Sequence, residues 1–140
     1  MPKKVWFLLL AVLLCLVAYV IYGELDRPRK RKQNFGLVKG VVVNVSMDIM
    51  NGYSADITYK TTINNKEISR TKRLTSDRCS DMRIFLTLMN QKMEVVYEKD
   101  DIENCDLLVS RKEYQEYKIM PPREVARIID ALVAGCSNYE

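Results

Sequence analysis

The sequence predicts an α+β chain in which one N-terminal transmembrane helix precedes a small five-stranded antiparallel barrel with one inserted helix and a C-terminal helix. Three observations predict it. Val5 to Tyr22 is an unbroken apolar run of eighteen residues. Valine-rich, alternating segments with turn signals fill residues 36–74. Apolar residues at helical spacing recur at 82–89 and 125–133.

The apolar run comes first. Eighteen residues in a helix rising about 1.5 Å each cover roughly 27 Å, close to the ~30 Å hydrocarbon layer, so one crossing is expected. A cleaved signal peptide carries an apolar core of only about 7–15 residues, and the small residues a cleavage site needs are missing near the end of this run. A lipid-modified Cys15 is disfavoured because Leu13 and Leu14 stand where a small residue is required. Residues 1–23 are therefore expected as a retained anchor. Trp6 at one end and Tyr19 and Tyr22 at the other occupy positions where amphipathic rings favour the headgroup region. Residues 24–34, polar and proline-bearing, are expected as a basic juxtamembrane linker holding Arg27, Arg29, Lys30, Arg31 and Lys32 near anionic lipid. Those five outnumber Lys3, Lys4 and the amino terminus on the other flank. The count favours a cytosolic domain, with the periplasmic or extracellular face as the alternative.

Residues 35–140 form the expected soluble domain. Val41, Val43 and Val45 alternate with Val42, Asn44 and Ser46, the period of two of a strand. After the Asn51-Gly52 turn signal, a second strand from Ser54 to Ile63 places Ala55, Ile57, Tyr59 and Thr61 on one face. Asn64-Asn65 supplies residues that tolerate positive φ, so Lys66 to Leu74 is expected to return as a third strand. Ser76 or Asp77 can cap a short helix whose Met82, Phe85, Leu86 and Met89 recur at helical spacing, widened by Ile84 and Leu88. Lys92 to Tyr97 reads as a fourth strand with Met93, Val95 and Tyr97 on one face, and Cys105 to Ser110 as a fifth. A last helix starts after Pro121-Pro122, because proline at the first turn sacrifices no helical hydrogen bond, and stops at Gly135. Its apolar face, Val125, Ile128, Ile129, Leu132 and Val133, must cover something: the end of the barrel or a protein partner. Strand, strand, strand, helix, strand, strand is the order of an oligonucleotide/oligosaccharide-binding (OB-like) barrel.

Composition narrows the function classes. From Gln33 to Glu140 there are 15 Lys plus Arg against 16 Asp plus Glu. The domain is nearly neutral, so it lacks the basic face that nucleic acid needs. Arg70, Lys72 and Arg73 lie among Glu67, Asp77 and Asp81 and read as a solvated face. No histidine occurs in the chain, which excludes a histidine-based dyad, and the cysteines at 79, 105 and 136 have no zinc spacing. Their number fits reduced thiols, with one long-range pair as the alternative if the domain is exported. Asp100, Asp101, Glu103 and Asp106 lack the ligand order of a calcium loop and read as a solvated turn. Asn44-Val45-Ser46 matches a glycosylation triplet inside a strand. No cofactor or metal is expected.

Gly36, Val38 and Val41, then Tyr59, Asn65 and Lys66, then Val95 and Tyr97, then Asp100, Asp101, Asn104, Leu107 and Leu108 form a series of turn and core residues. In these the stretch from Gly36 to Ser110 resembles a widespread family of small membrane-associated bacterial domains of unknown function. Gln91 and Cys105 depart from the glycine and proline that its members commonly have. The resemblance implies an extracytoplasmic or membrane-surface β-domain without known catalysis, and supplies no active-site residues. The function expected is a membrane-anchored, non-catalytic binding or accessory module with lipid and a protein as partners. The alternative is an immunity-type inhibitor that neutralises a toxin at the membrane.

Overall fold

Valine at the centre of β1 (Phe35–Asp48) makes it the strand that organises the sheet, since β-branched side chains pack well on a pleated, buried surface. The computed structural model describes residues 3–48, 54–75 and 82–136. The Asn51-Gly52 turn, the Ser76 or Asp77 cap and Cys79 lie outside them. Around β1 stand β2 (Ser54–Ile63), β3 (Lys66–Leu74), β4 (Lys92–Glu98) and β5 (Cys105–Leu107). All pairs are antiparallel, in the order β3-β2-β1-β4-β5. This curled half-barrel has the expected strand order. A 3₁₀ helix (Met82–Leu88) lies between β3 and β4, and α2 (Arg111–Glu116) and α3 (Arg123–Gly135) follow β5.

The β2–β3 hairpin follows from its turn. Asn64 and Asn65 take φ of 50° and 63°, the left-handed pair that matches the twist of the strands it joins. In β2, Ala55, Ile57, Tyr59 and Thr61 are buried on one face as the alternation predicts. In β1 the alternation breaks. Val42 pairs with Tyr59 and Asn44 with Thr58, which leaves Val43 as an extra residue in a bulge. The buried valines are consequently Val42 and Val45, three apart, and not a single set of odd-numbered positions. The inserted helix differs in kind too: its 3₁₀ turns of three residues bury Met82, Phe85 and Leu88 and leave Leu86 exposed.

Two further differences concern the helices. The fifth strand stops at Leu107, because Ser110 caps α2 by accepting from the Glu113 amide while the Glu113 side chain returns to the Ser110 amide. Helix α2 ends with Lys118 at φ 55°, its amide donating to Gln115 O and that of Ile119 to Tyr114 O. That is a Schellman stop made without glycine. Helix α3 begins after Pro122 as expected, and it covers the sheet. Val125, Ile129 and Leu132 are buried within the chain and Ile128 packs against the same core. The face that could have docked a protein partner is thus already occupied.

Helix α1 (Lys3–Gln33) contains the whole apolar run and continues past it. It is long and apolar enough to cross a membrane, and the side chains of its apolar segment are exposed. The stretch from residue 24 to 33, expected as a linker, is its last three turns. Glu24–Arg27, Asp26–Arg29 and Asp26–Lys30 pair at three- and four-residue spacing, which supports the helical state even with Pro28 inside it.

Candidate functional site at the helix–sheet junction

The end of α1 meets the sheet at the turn between β4 and β5, and Arg31 is the residue that joins them. Its guanidinium donates from Nε to the Tyr117 hydroxyl at 2.8 Å, from Nη1 to Asn104 Oδ1 at 3.1 Å and from Nη2 to Asp106 Oδ2 at 3.3 Å. A planar fork with five donors suits such a three-way contact. Only 11% of the side chain is exposed. Asn104, itself buried, donates from Nδ2 to Arg27 O at 2.8 Å and to Glu98 Oε2 at 2.7 Å. Asn34 extends the seam, donating to Asp100 at 2.9 Å while its carbonyl accepts from the Lys99 amide at 3.0 Å. Lys32 reaches Glu116 of α2 at 2.6 Å.

A second set of charges closes the sheet on itself. No backbone ladder joins β3 to β5 among the described residues, and side chains span the gap instead. Arg70 donates to Glu103 O and to the Glu103 carboxylate, which also takes Lys66 at 2.5 Å. Lys72 donates to Leu107 O at 2.7 Å, to Asp106 at 3.2 Å and to Glu113. Asp106 therefore sits between Arg31 and Lys72. Two cations, Arg31 and Lys72, face two anions, Asp106 and Glu113, and this partly buried quartet is neutral.

The surroundings tune these groups. Burial works against the charge on Glu113, but Lys72 and the amides of Val109 and Ser110 outweigh it and hold its carboxyl below the usual 4.5. Beside the junction, the Tyr59 hydroxyl lies 3.7 Å from Cys105 Sγ. Burial pushes both the Cys105 thiol and the Tyr59 hydroxyl upward. A raised thiol is a poor nucleophile at neutral pH. Among the described residues, no group of three or more carboxylates or thiols is placed to hold a metal ion. The arrangement is one that positions and holds.

The residues expected near lipid are thus divided. Trp6, Tyr19 and Tyr22 are exposed on α1, while Arg27, Arg29 and Lys30 pair along the helix. Arg31 and Lys32 turn onto the domain. The basic cluster of β3 and the acidic loop 100–106, read separately as solvated, are largely each other's partners; Arg73 instead pairs with Asp56 at 2.8 Å. Tyr117 and Glu113 were missed, although the Ser110-x-x-Glu113 box was a readable signal. Cys136 is disulfide-bonded, whereas Cys15 and Cys105 are free thiols. No protein-family model and no curated protein matches this chain.

Proposed function

We propose that the protein is a membrane-anchored, non-catalytic accessory module that holds a small β-domain at a fixed height and angle over the bilayer to engage a protein partner. The junction at Arg31 carries this reading. A flexible tether would let the domain swing, whereas Arg31 lies nine residues, about 13 Å of helix, beyond Tyr22, where the unbroken apolar run ends, and is bonded to three side chains of the domain. Height and orientation are then set together. The disulfide at Cys136 supports placing the domain on the oxidising, extracytoplasmic side, because such bonds persist there and are rare in the cytosol. The resemblance of residues 36–110 to membrane-surface domains points the same way, and the charge count of the flanks points the other.

Two measurements test this. Alkaline carbonate extraction of membranes should leave the full-length chain in the pellet; release into the supernatant refutes the anchor. With Cys105 replaced by serine, a membrane-impermeant maleimide applied to intact cells should label Cys136 only after a thiol reductant and urea are added, because Cys136 is buried as well as oxidised. Labelling that requires permeabilised cells would put the domain on the cytosolic side.

A further inference from the structure

Where α1 leaves its apolar segment, a groove of about 520 Å³ opens between the helix and the turn that follows β4. That volume falls within the ~300–1,000 Å³ typical of small-molecule sites. Its walls change character along its length. Tyr19, Val20 and Tyr22 line it from the end of the apolar run, Glu24, Arg27 and Lys30 from the helix beyond that run, and Glu98 and Asp101 from the sheet side.

We infer that this groove binds the headgroup of an aminophospholipid, with the phosphate on Arg27 and Lys30 and the primary ammonium on the carboxylates of Glu24, Glu98 and Asp101. The inference rests on the membrane-anchored reading, because the apolar end of the groove belongs to the last turns of the spanning run. Aromatic rings at that level mark the headgroup zone. Arg27 follows Tyr22 by five residues, about 7.5 Å of rise, which brings it to the outer part of the headgroup layer that widens a ~30 Å hydrocarbon core to a ~40–45 Å bilayer. Both cations are themselves exposed, and their ion pairs are long, 3.5 Å to the exposed Glu24 and 3.8 Å to the mostly buried Asp26, so a phosphate can compete for them. Four carboxylates against two cations line the groove, Glu24, Asp26, Glu98 and Asp101 against Arg27 and Lys30. A purely anionic headgroup would be opposed by that balance. A carboxylate accepts hydrogen bonds from a primary ammonium and receives none from a quaternary one, so the groove selects ethanolamine over choline.

The test is native mass spectrometry of the full-length protein in detergent, with equimolar phosphatidylethanolamine, phosphatidylcholine and phosphatidylglycerol of identical chains. Ethanolamine lipid should be retained over each of the others by about fivefold, the worth of one good surface ion pair. The Glu24→Gln, Asp101→Asn double variant, checked for an unchanged melting temperature, should lose most of the preference for ethanolamine over choline lipid, because the remaining carboxylate of the three, Glu98, already accepts from Asn104. Equal retention by the wild type, or a preference for the glycerol lipid, overturns the proposal. Soluble phosphoethanolamine at the same concentration as the lipid should displace nothing, because it lacks the chains held beside the apolar end of the groove. Displacement by it would assign the groove to a free phosphoamine and overturn the lipid as occupant. These failures are distinct from failure of the anchor, which would show as release by carbonate.

Discussion

Replacing Arg31 by alanine removes three hydrogen bonds at once and leaves Tyr117, Asn104 and Asp106 facing a void. Each bond to a charged group contributes about 1.5–3 kcal/mol, and the three are not additive because they share one side chain. Breaking a fully buried ion pair costs about 3–5 kcal/mol. Here Asp106 is 31% exposed and retains Lys72 at 3.2 Å, so the loss is smaller. We expect Arg31→Ala to destabilise the domain by about 2–4 kcal/mol, or roughly 10 °C or more in melting temperature for a body of this size. Arg31→Lys keeps the charge but loses the fork, and should cost about half as much. The control is Arg29→Ala, whose side chain is 68% exposed on α1 and should change stability by less than about 0.5 kcal/mol. The assay is thermal unfolding of the full-length variants in one detergent, followed by near-ultraviolet circular dichroism. A truncation that removes residues 1–32 takes Arg31 with it and should melt as low as Arg31→Ala, whereas one that removes residues 1–23 should not. If Arg31→Ala melts with Arg29→Ala, the junction does not hold the domain and the rigid-stalk argument fails.

Because the Glu113 carboxyl titrates below 4.5 when folded, its contribution is complete above the unfolded value and disappears as pH falls through the folded one. Stability measured from pH 7 downward should accordingly drop on the acid side, and Glu113→Gln should be less stable at neutral pH with a shallower acid slope; parallel slopes would contradict this. Gly36 pairs with Tyr97, and a Cβ on it would come within 2.8 Å of Tyr97 Cε1. Gly36→Ala should cost about 1–3 kcal/mol, and Tyr97→Ala in the same chain should recover part of it; simple additivity would show that the ring is not the obstacle. Ile129 is fully buried, so Ile129→Ala should lose about 2–4 kcal/mol in denaturant unfolding, more than Ile128→Ala. The reverse ranking would mean that α3 is turned the other way.

Much of the architecture was legible in local pattern. The bounds of β2 and β3 follow from alternation plus two asparagines, and α3 follows from two prolines before it, a glycine at its end and an apolar stripe between, because each of these acts within a few residues of itself. The bulge at Val43 was not legible. It becomes necessary only when β1 has to serve β2 and β4 together in one curled sheet. Nor did the 3₁₀ helix announce itself, since apolar spacings of three and four fit both kinds of turn.

The charges mark the division most clearly. Sequence alone established a long apolar helix, a near-neutral β-rich body, and the absence of histidine chemistry, because composition and periodicity carry that information directly. Which charge meets which was decided by tertiary structure. Arg31 and Asp106, or Lys72 and Glu113, are brought together by the curl of the sheet across 75 and 41 residues of chain, and no spacing rule encodes such a pair. A basic run beside an apolar helix looks the same whether it faces lipid or protein. Only the fold, by bringing carboxylates to the end of α1, turned part of that run inward.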